Sequence, residues 1–387
     1  MIVRAGIFYD GTLENPRSNV DITIADGCIA GVADAGGEYD LQAACVTPGL
    51  INAHVHLEMS GQADTMGSFT ASTPAQRMLW AVENAEKSLR AGVTAVRDVG
   101  CSHAISIELR DAVEAGRTAG PTIRAAGNVL CIPGGHGWFV GREIKGVDDA
   151  VKAVREQQRN GANCIKLIAT GGVLTKGAIP GQAELSEQEM HAAIGEARKH
   201  GMPVCAHAIG TEGIKNALRA GVTSIEHGHM LDDEAIELFK ANGAYLVPTL
   251  TAPTCILDHA HEGTQPDFVT RKAGEVAERM AENIGRAYRN GVKIAAGSDA
   301  GTPFNYQDAY AYELELMETL LGMNPQEVIH SATMVGAELI RAGNGRLHAG
   351  DIADLLLLDA DAGKQLSTFR TPRAVIKRGH VVAAATA

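Results

Sequence analysis

His54 and His56 stand two residues apart in the apolar run Pro48-Gly49-Leu50-Ile51-Asn52-Ala53-His54-Val55-His56-Leu57. In an extended strand, alternate side chains share a face, so both imidazoles point to one place. That arrangement brings two nitrogen ligands to a metal ion. Groups of related chemistry recur in later apolar runs. Lys166 lies in Cys164-Ile165-Lys166-Leu167-Ile168, and His207 in Val204-Cys205-Ala206-His207-Ala208. His227 closes Ile225-Glu226-His227, and Asp299 closes Ala295-Ala296-Gly297-Ser298-Asp299. Imidazole nitrogen and carboxylate oxygen are natural ligands of Zn²⁺ and similar divalent ions. One histidine pair in a strand is more often structural. Its recurrence with matching groups on four further runs points to a metal centre.

These groups meet only if the runs that carry them are neighbours. Strand-like apolar runs occur at 46–57, 93–99, 122–126, 163–169, 203–208, 223–226, 244–249 and 293–296. Amphipathic stretches between them, such as 73–91, 148–160, 186–200, 232–242 and 270–290, have helical spacing. Ser186 and Glu189 carry the spacing of a capping box. Glycines such as Gly161, Gly201, Gly221 and Gly243 end the helices just before the next strand. This alternation predicts an α/β fold, a (β/α)8 TIM barrel over residues 48–344. A doubly wound sheet is the alternative, but HxH occupies the place of its glycine-rich turn. Short strands with turns fill 1–47 and 345–387, so both ends of the chain are expected to form one small β-sandwich domain. In such barrels, working side chains sit at the carboxyl ends of strands.

Of 387 residues, 45% are hydrophobic and 21% charged, with a formal charge of −12. No basic stripe is present, which argues against nucleic acid as a partner. Seven cysteines are scattered without a CxxC pair, as expected of free thiols in a reducing, cytoplasmic setting. The first residues carry no leader pattern. No apolar stretch reaches the roughly 18 residues that a membrane span needs.

With these groups at these positions, the chain resembles the amidohydrolase superfamily of metal-dependent hydrolases over nearly its whole length. The closing Gly345-Arg346-Leu347 and Gly350-Asp351-Ile352-Ala353-Asp354-Leu355-Leu356-Leu357-Leu358-Asp359 resemble that superfamily's last β segment. Gly134-Gly135-His136-Gly137, Ile165-Lys166-Leu167-Ile168-Ala169-Thr170-Gly171-Gly172 and Tyr245-Leu246-Val247-Pro248-Thr249-Leu250 carry a narrower likeness. They resemble the imidazolonepropionase-related branch that includes Xaa-Pro and other dipeptidases. The resemblance implies two divalent metal ions, with zinc as the first choice. It assigns His54, His56 and Asp299 to one ion, and His207 and His227 to the other. Lys166, carboxylated, would bridge them, since a carbamate offers two anionic oxygens and an ammonium offers none. A metal-bridging hydroxide would attack an amide, with Asp299 as general base and then acid. His136 would hydrogen-bond the carbonyl oxygen, and Tyr245 would touch the substrate. The implied substrate is a small amide, a dipeptide or an N-acyl amino acid, and a homo-oligomer is expected.

One departure stands out: Trp138-Phe139 follow His136-Gly137, where an acidic residue is common in the dipeptidases. This suggests an apolar lid. His229 is expected behind the ligands, and the stretch 252–268 as a long loop. The remaining histidines read as surface groups or ordinary packing. Two other readings stay open. One is a single-metal hydrolase or deaminase of a small heterocycle, or a lactone or carbamate hydrolase. The other is a non-catalytic relative, which would have lost ligands that this chain keeps.

Overall fold

Leu50–Val55 is buried at every position, as a strand must be when helices cover one face and a barrel core fills the other. In the computed structural model, which describes residues 1–343 and 345–384, this strand pairs in parallel with Val93–Asp98, and that with Thr122–Ala125. Ile165–Ile168, Val204–Ala208, Ser224–His227, Tyr245–Val247 and Lys293–Ile294 continue the parallel ring. The ring closes where the Ala53 N–H donates to the Ala296 carbonyl at 3.0 Å. The fold is a TIM barrel.

The third strand is broken, which the sequence pattern does not reveal. It stops at Ala125 and resumes as Val129–Cys131, which pairs on both sides, with Ile165–Ile168 and Gly141–Glu143. Gln157, from the helix Val147–Arg159, fills the break. Its Oε1 accepts the Asn128 N–H at 2.9 Å, and a Cβ on Gly127 would stand 2.4 Å from that oxygen.

The surrounding helices start as their sequences direct. Ser186 and Glu189 form a reciprocal capping box before Glu187–Lys199, and Thr73 and Gln76 do the same before Pro74–Arg90. Gly221 and Gly243 end their helices in the left-handed conformation. Two expectations need correction. The stretch 252–268 is not a loop: it holds most of the helix Thr251–Asp258, a short turn, and the start of the helix Asp267–Ala277. Pro253 falls in the first turn, where its missing N–H forfeits no bond. The single helix expected over 270–290 is two, Asp267–Ala277 and Met280–Arg289.

Both ends of the chain build one seven-stranded sheet. Its order is His380–Ala384, Ala374–Lys377, Leu355–Leu358, Leu41–Pro48, Ile2–Phe8, Arg17–Ala25, Cys28–Asp34. The run 46–57 therefore divides at Gly49, whose Cβ would lie 2.3 Å from the Thr94 side chain. The sheet is rolled over a core of its own. Gly27 near one edge lies against Arg378 near the other, and Val3, Ile22, Ile24, Leu355 and Ile376 pack together inside. Leu356 and Leu358, which alternate with Leu355 and Leu357, face the barrel instead. The last strand is seen to Ala384; Asn344 and residues 385–387, the last of the expected terminal β domain, lie outside the described residues.

Candidate active site

Lys166, His207, His227 and Asp299 reach one pocket with His54 and His56, at the carboxyl ends of the barrel strands. His54 Nε2 is 3.2 Å from Asp299 Oδ1, and His56 Nε2 is 3.4 Å from the same oxygen. The rings of His207 and His227 are 4.5 Å apart, and those of His54 and His227 5.2 Å. Lys166 is 2% exposed and forms no ion pair among the described residues.

The far side of three of the imidazoles is already taken. His54 Nδ1 donates to Glu226 Oε2 at 2.7 Å, and His56 Nδ1 to the Gly100 carbonyl at 3.0 Å. The Thr249 hydroxyl donates to the Pro248 carbonyl, so it accepts from His227 Nδ1 at 2.7 Å. With Nδ1 carrying the hydrogen, Nε2 keeps its lone pair, the form that binds a metal. His207 Nε2 is buried with no hydrogen-bond partner, an arrangement that a metal ion would relieve. The residues thus fit a metal centre.

Electrostatics agree with the geometry. Burial pushes His56 down to about 4 and holds His207 and His227 well below the usual histidine range, leaving them neutral. Burial works against the Asp299 charge, but His54 and His56 outweigh it and keep the carboxyl ionised. His54 is different. Burial and Lys166 lower it, yet Asp299 and Glu226 raise it further, so between two carboxylates a proton stands where a cation is wanted.

Three residues at strand ends hold strained backbone. His227, Thr249 and Asp299 have φ of 74°, 50° and 59°, in the left-handed region that non-glycine residues seldom enter. The surrounding bonds enforce it: the Asp299 N–H donates to the His54 carbonyl at 2.9 Å, and the Thr249 N–H to the Gly297 carbonyl at 3.1 Å. Strain of this kind gathers at functional sites.

Beneath the histidines lies a network that the sequence reading missed. Buried Arg97 donates to Glu226 Oε1 at 2.9 Å, Ser224 Oγ at 3.1 Å and the Ala53 carbonyl at 2.7 Å. Ser224 Oγ donates to Glu226 Oε1 at 2.6 Å. Burial would raise Glu226, but Arg97 and the His54 hydrogen bond hold it down at about 2. The clue was present in the sequence: opposite charges at Arg97 and Glu226, each inside an apolar strand, must find partners.

His136 lines the pocket, its ring 4.4 Å from that of His207. Its Nδ1 is 2.9 Å from Thr175 Oγ1, and its N–H donates to Glu184. The Gly171-Gly172 pair now has a reason. A Cβ on Gly172 would stand 2.5 Å from His136 Nε2, and one on Gly171 2.3 Å from the Ile179 carbonyl oxygen. His229 also lines the pocket, with Nε2 on the Pro248 carbonyl and Nδ1 buried without a partner. Of the two aromatic residues after Gly137, Phe139 joins the pocket wall and packs on Phe69, while Trp138 is 49% exposed. Tyr245 is not brought here. It begins its strand, at the opposite end of the barrel, packed with Ile51 and Ala295 under Lys293. The carboxyl end of that strand is Val247 to Thr249, so it is Thr249 that reaches the site.

Comparison with known proteins places this geometry. An ochratoxinase of Aspergillus niger is 28% identical over 422 aligned positions, spanning 97% of this chain and 84% of that protein. The structure of a Xaa-Pro dipeptidase with bound methionine in its active site superposes with a TM-score of 0.90 at 31% identity, covering 98% of each chain. A prolidase complexed with N-methylphosphonate-L-proline gives 0.90 at 27% identity, covering 99% of each. Residues 45–382 match the Amidohydrolase family, from the last strand before the barrel to the last strand of the terminal sheet. Fold, polar cluster and whole-length likeness agree, and the chain belongs to the amidohydrolase family of hydrolases, which act on carbon–nitrogen bonds.

Proposed function

We propose that this chain hydrolyses the amide bond of a small molecule with two divalent metal ions, Zn²⁺ being the first to test. His54, His56 and Asp299 would hold one ion, His207 and His227 the other, and Lys166, carboxylated on Nζ, would give an oxygen to each. One observation carries the reading. The Nδ1 atoms of His54, His56 and His227 are committed to protein partners, leaving Nε2 for metal around a buried lysine that has no carboxylate partner among the described residues. When bound, the ions supply an acidic water near neutral pH and polarise the scissile carbonyl.

The chain's own groups do the rest. Asp299, ionised and open to the pocket, takes the proton of the attacking water and delivers it to the leaving nitrogen. In the tautomer that suits this chemistry, the Thr175 hydroxyl donates to His136 Nδ1, 2.9 Å away. That leaves Nε2–H of His136 to donate to the carbonyl oxygen as charge builds. Dipeptides and N-acyl amino acids are the first compounds to try, given dipeptidases and prolidases among the relatives. The seven cysteines are free, which supports a reducing compartment. Among the described residues, no helix is long and apolar enough to cross a membrane.

A single-metal reading has one observation in its favour. Ligand atoms of His54, His56 and Asp299 converge within 4.8 Å, a group that excludes His207 and His227. Metal analysis after loading with zinc and bicarbonate separates the two. Two ions per chain, falling to one or none in Lys166→Ala with loss of amidase activity, is expected. One ion in the parent protein, with full activity in Lys166→Ala, would decide for the single-metal enzyme.

A further inference from the structure

We propose that the amide cleaved here is uncharged and apolar, with no free carboxylate beside the scissile bond. This rests on the amide-hydrolysis reading above and narrows it. The pocket walls are Val129 and Phe139 from the broken third strand and its turn, and Val173 and Leu174 from the loop after the fourth. Ile256, from the helix Thr251–Asp258 in the stretch first read as a loop, and Val276, from the helix Asp267–Ala277, complete them. The charged groups lining the pocket, Lys166 and Asp299, both belong to the metal cluster.

Apart from His136, which is given to the scissile carbonyl, no other wall group among the described residues suits an anion. The Thr302 hydroxyl donates to the Asp299 carbonyl at 2.9 Å. His229 gives its Nε2–H to the Pro248 carbonyl at 3.0 Å, so its free Nδ1 presents a lone pair and would repel a carboxylate oxygen. The same atom would accept an N–H from a secondary amide. Two further cations lie behind the wall. Lys272 is 4% exposed and donates to the Thr175 carbonyl at 2.7 Å, and Arg77 stacks on Phe69, 4.4 Å from its ring centre. A carboxylate entering this pocket loses its water and gains no partner, which is unfavourable; an alkyl or aryl group gains by the same exchange. Dipeptides carry that carboxylate, so this chain would part from relatives called dipeptidases in what it accepts.

The test uses N-acetylphenethylamine and N-acetylphenylalanine, which differ by one carboxylate, with the zinc-loaded protein. Amine release gives kcat/KM, and calorimetry gives binding. We expect the phenethylamide to be cleaved with kcat/KM at least about 100-fold higher, and to bind more tightly. Leu174→Arg or Val173→Arg should reverse the preference by giving the carboxylate a partner. Tighter binding or faster cleavage of N-acetylphenylalanine by the parent protein overturns the inference, as does binding of neither compound. If that preference disappears in Arg77→Met or Lys272→Met, one of these cations is the missing receptor. Tight binding of the phenethylamide without cleavage upholds the pocket's selectivity and overturns the amide reading instead.

Discussion

The barrel treats the space below its histidines and the space above them in opposite ways. Below, Arg97, Ser224 and Glu226 form a buried polar net in which every charge has a partner. Above, Phe139, Val173, Leu174 and Ile256 form apolar walls, and the polar atoms left over, His207 Nε2 and His229 Nδ1, have no partner. A satisfied network fixes side chains in one arrangement. An unsatisfied atom in an apolar cleft waits for something to bind. The lower layer thus sets where the ligands stand, and the upper layer sets what can approach them.

The largest effect should come from breaking the lower layer. Arg97→Met leaves Glu226 charged and buried with its main partner gone, and should cost about 3–5 kcal/mol of stability, read by denaturant unfolding. The double variant Arg97→Met, Glu226→Gln should recover much of that loss. An Arg97→Met protein as stable as the parent would mean that the net is not a coupled unit.

Gly172→Ala probes the boundary between the layers. The new methyl group would overlap His136 Nε2, so kcat should fall about 10²–10³-fold while metal content and melting temperature hold. Unchanged kcat would remove His136 from the chemistry.

Glu313 anchors the upper layer. It accepts the N–H groups of Leu250 at 2.9 Å and Thr251 at 2.7 Å, where the wall helix Thr251–Asp258 begins. Burial pushes its carboxyl up to about 7, against the pull of Thr251 and Leu250. The folded state therefore holds this proton more tightly than the unfolded chain does. Its contribution to stability is greatest below the unfolded value and falls as pH rises from about 4.5 to about 7, by roughly 3 kcal/mol. Asp98 and Glu58, at about 6 and about 7, act in the same direction. The difference between the parent and Glu313→Gln pH–stability curves isolates the share of Glu313, and parallel curves would contradict it.

The smallest effect should follow loss of one hydrogen bond behind a ligand. Thr249→Ala removes the acceptor of His227 Nδ1 and should weaken metal binding about 10–100-fold in chelator competition, with Thr249→Ser near the parent. Equal affinities for all three proteins would show that His227 needs no orienting partner.

Much of the ligand cluster could be read from the chain, although the net of Arg97, Ser224 and Glu226 beneath it could not. Period-two placement of His54 and His56, and the end positions of His207, His227 and Asp299, are local properties of strands. So are the capping box at Ser186 and the glycines at helix ends. What could not be read depends on long-range contacts. The break in the third strand exists because Gln157 arrives from a later helix to satisfy Asn128. Tyr245 was misplaced because an apolar run does not say which of its ends is the mouth. The helix Thr251–Asp258 was hidden by its proline and by its burial, since a helix covered on more than one side loses the clear polar face that marks it. The left-handed backbone at His227, Thr249 and Asp299 has no sequence signature, because it is imposed by neighbours.

The rolled terminal sheet has a consequence for how the chain is made. Leu41–Pro48 lies between Ile2–Phe8, made before it, and Leu355–Leu358, made long after it. On the ribosome, the first strands must keep one long edge unpaired while some 300 further residues are added. Unpaired edges are where chains stick to one another. Heterologous production should therefore be limited by aggregation of the nascent amino-terminal strands, and slower translation at low temperature should not shorten their wait.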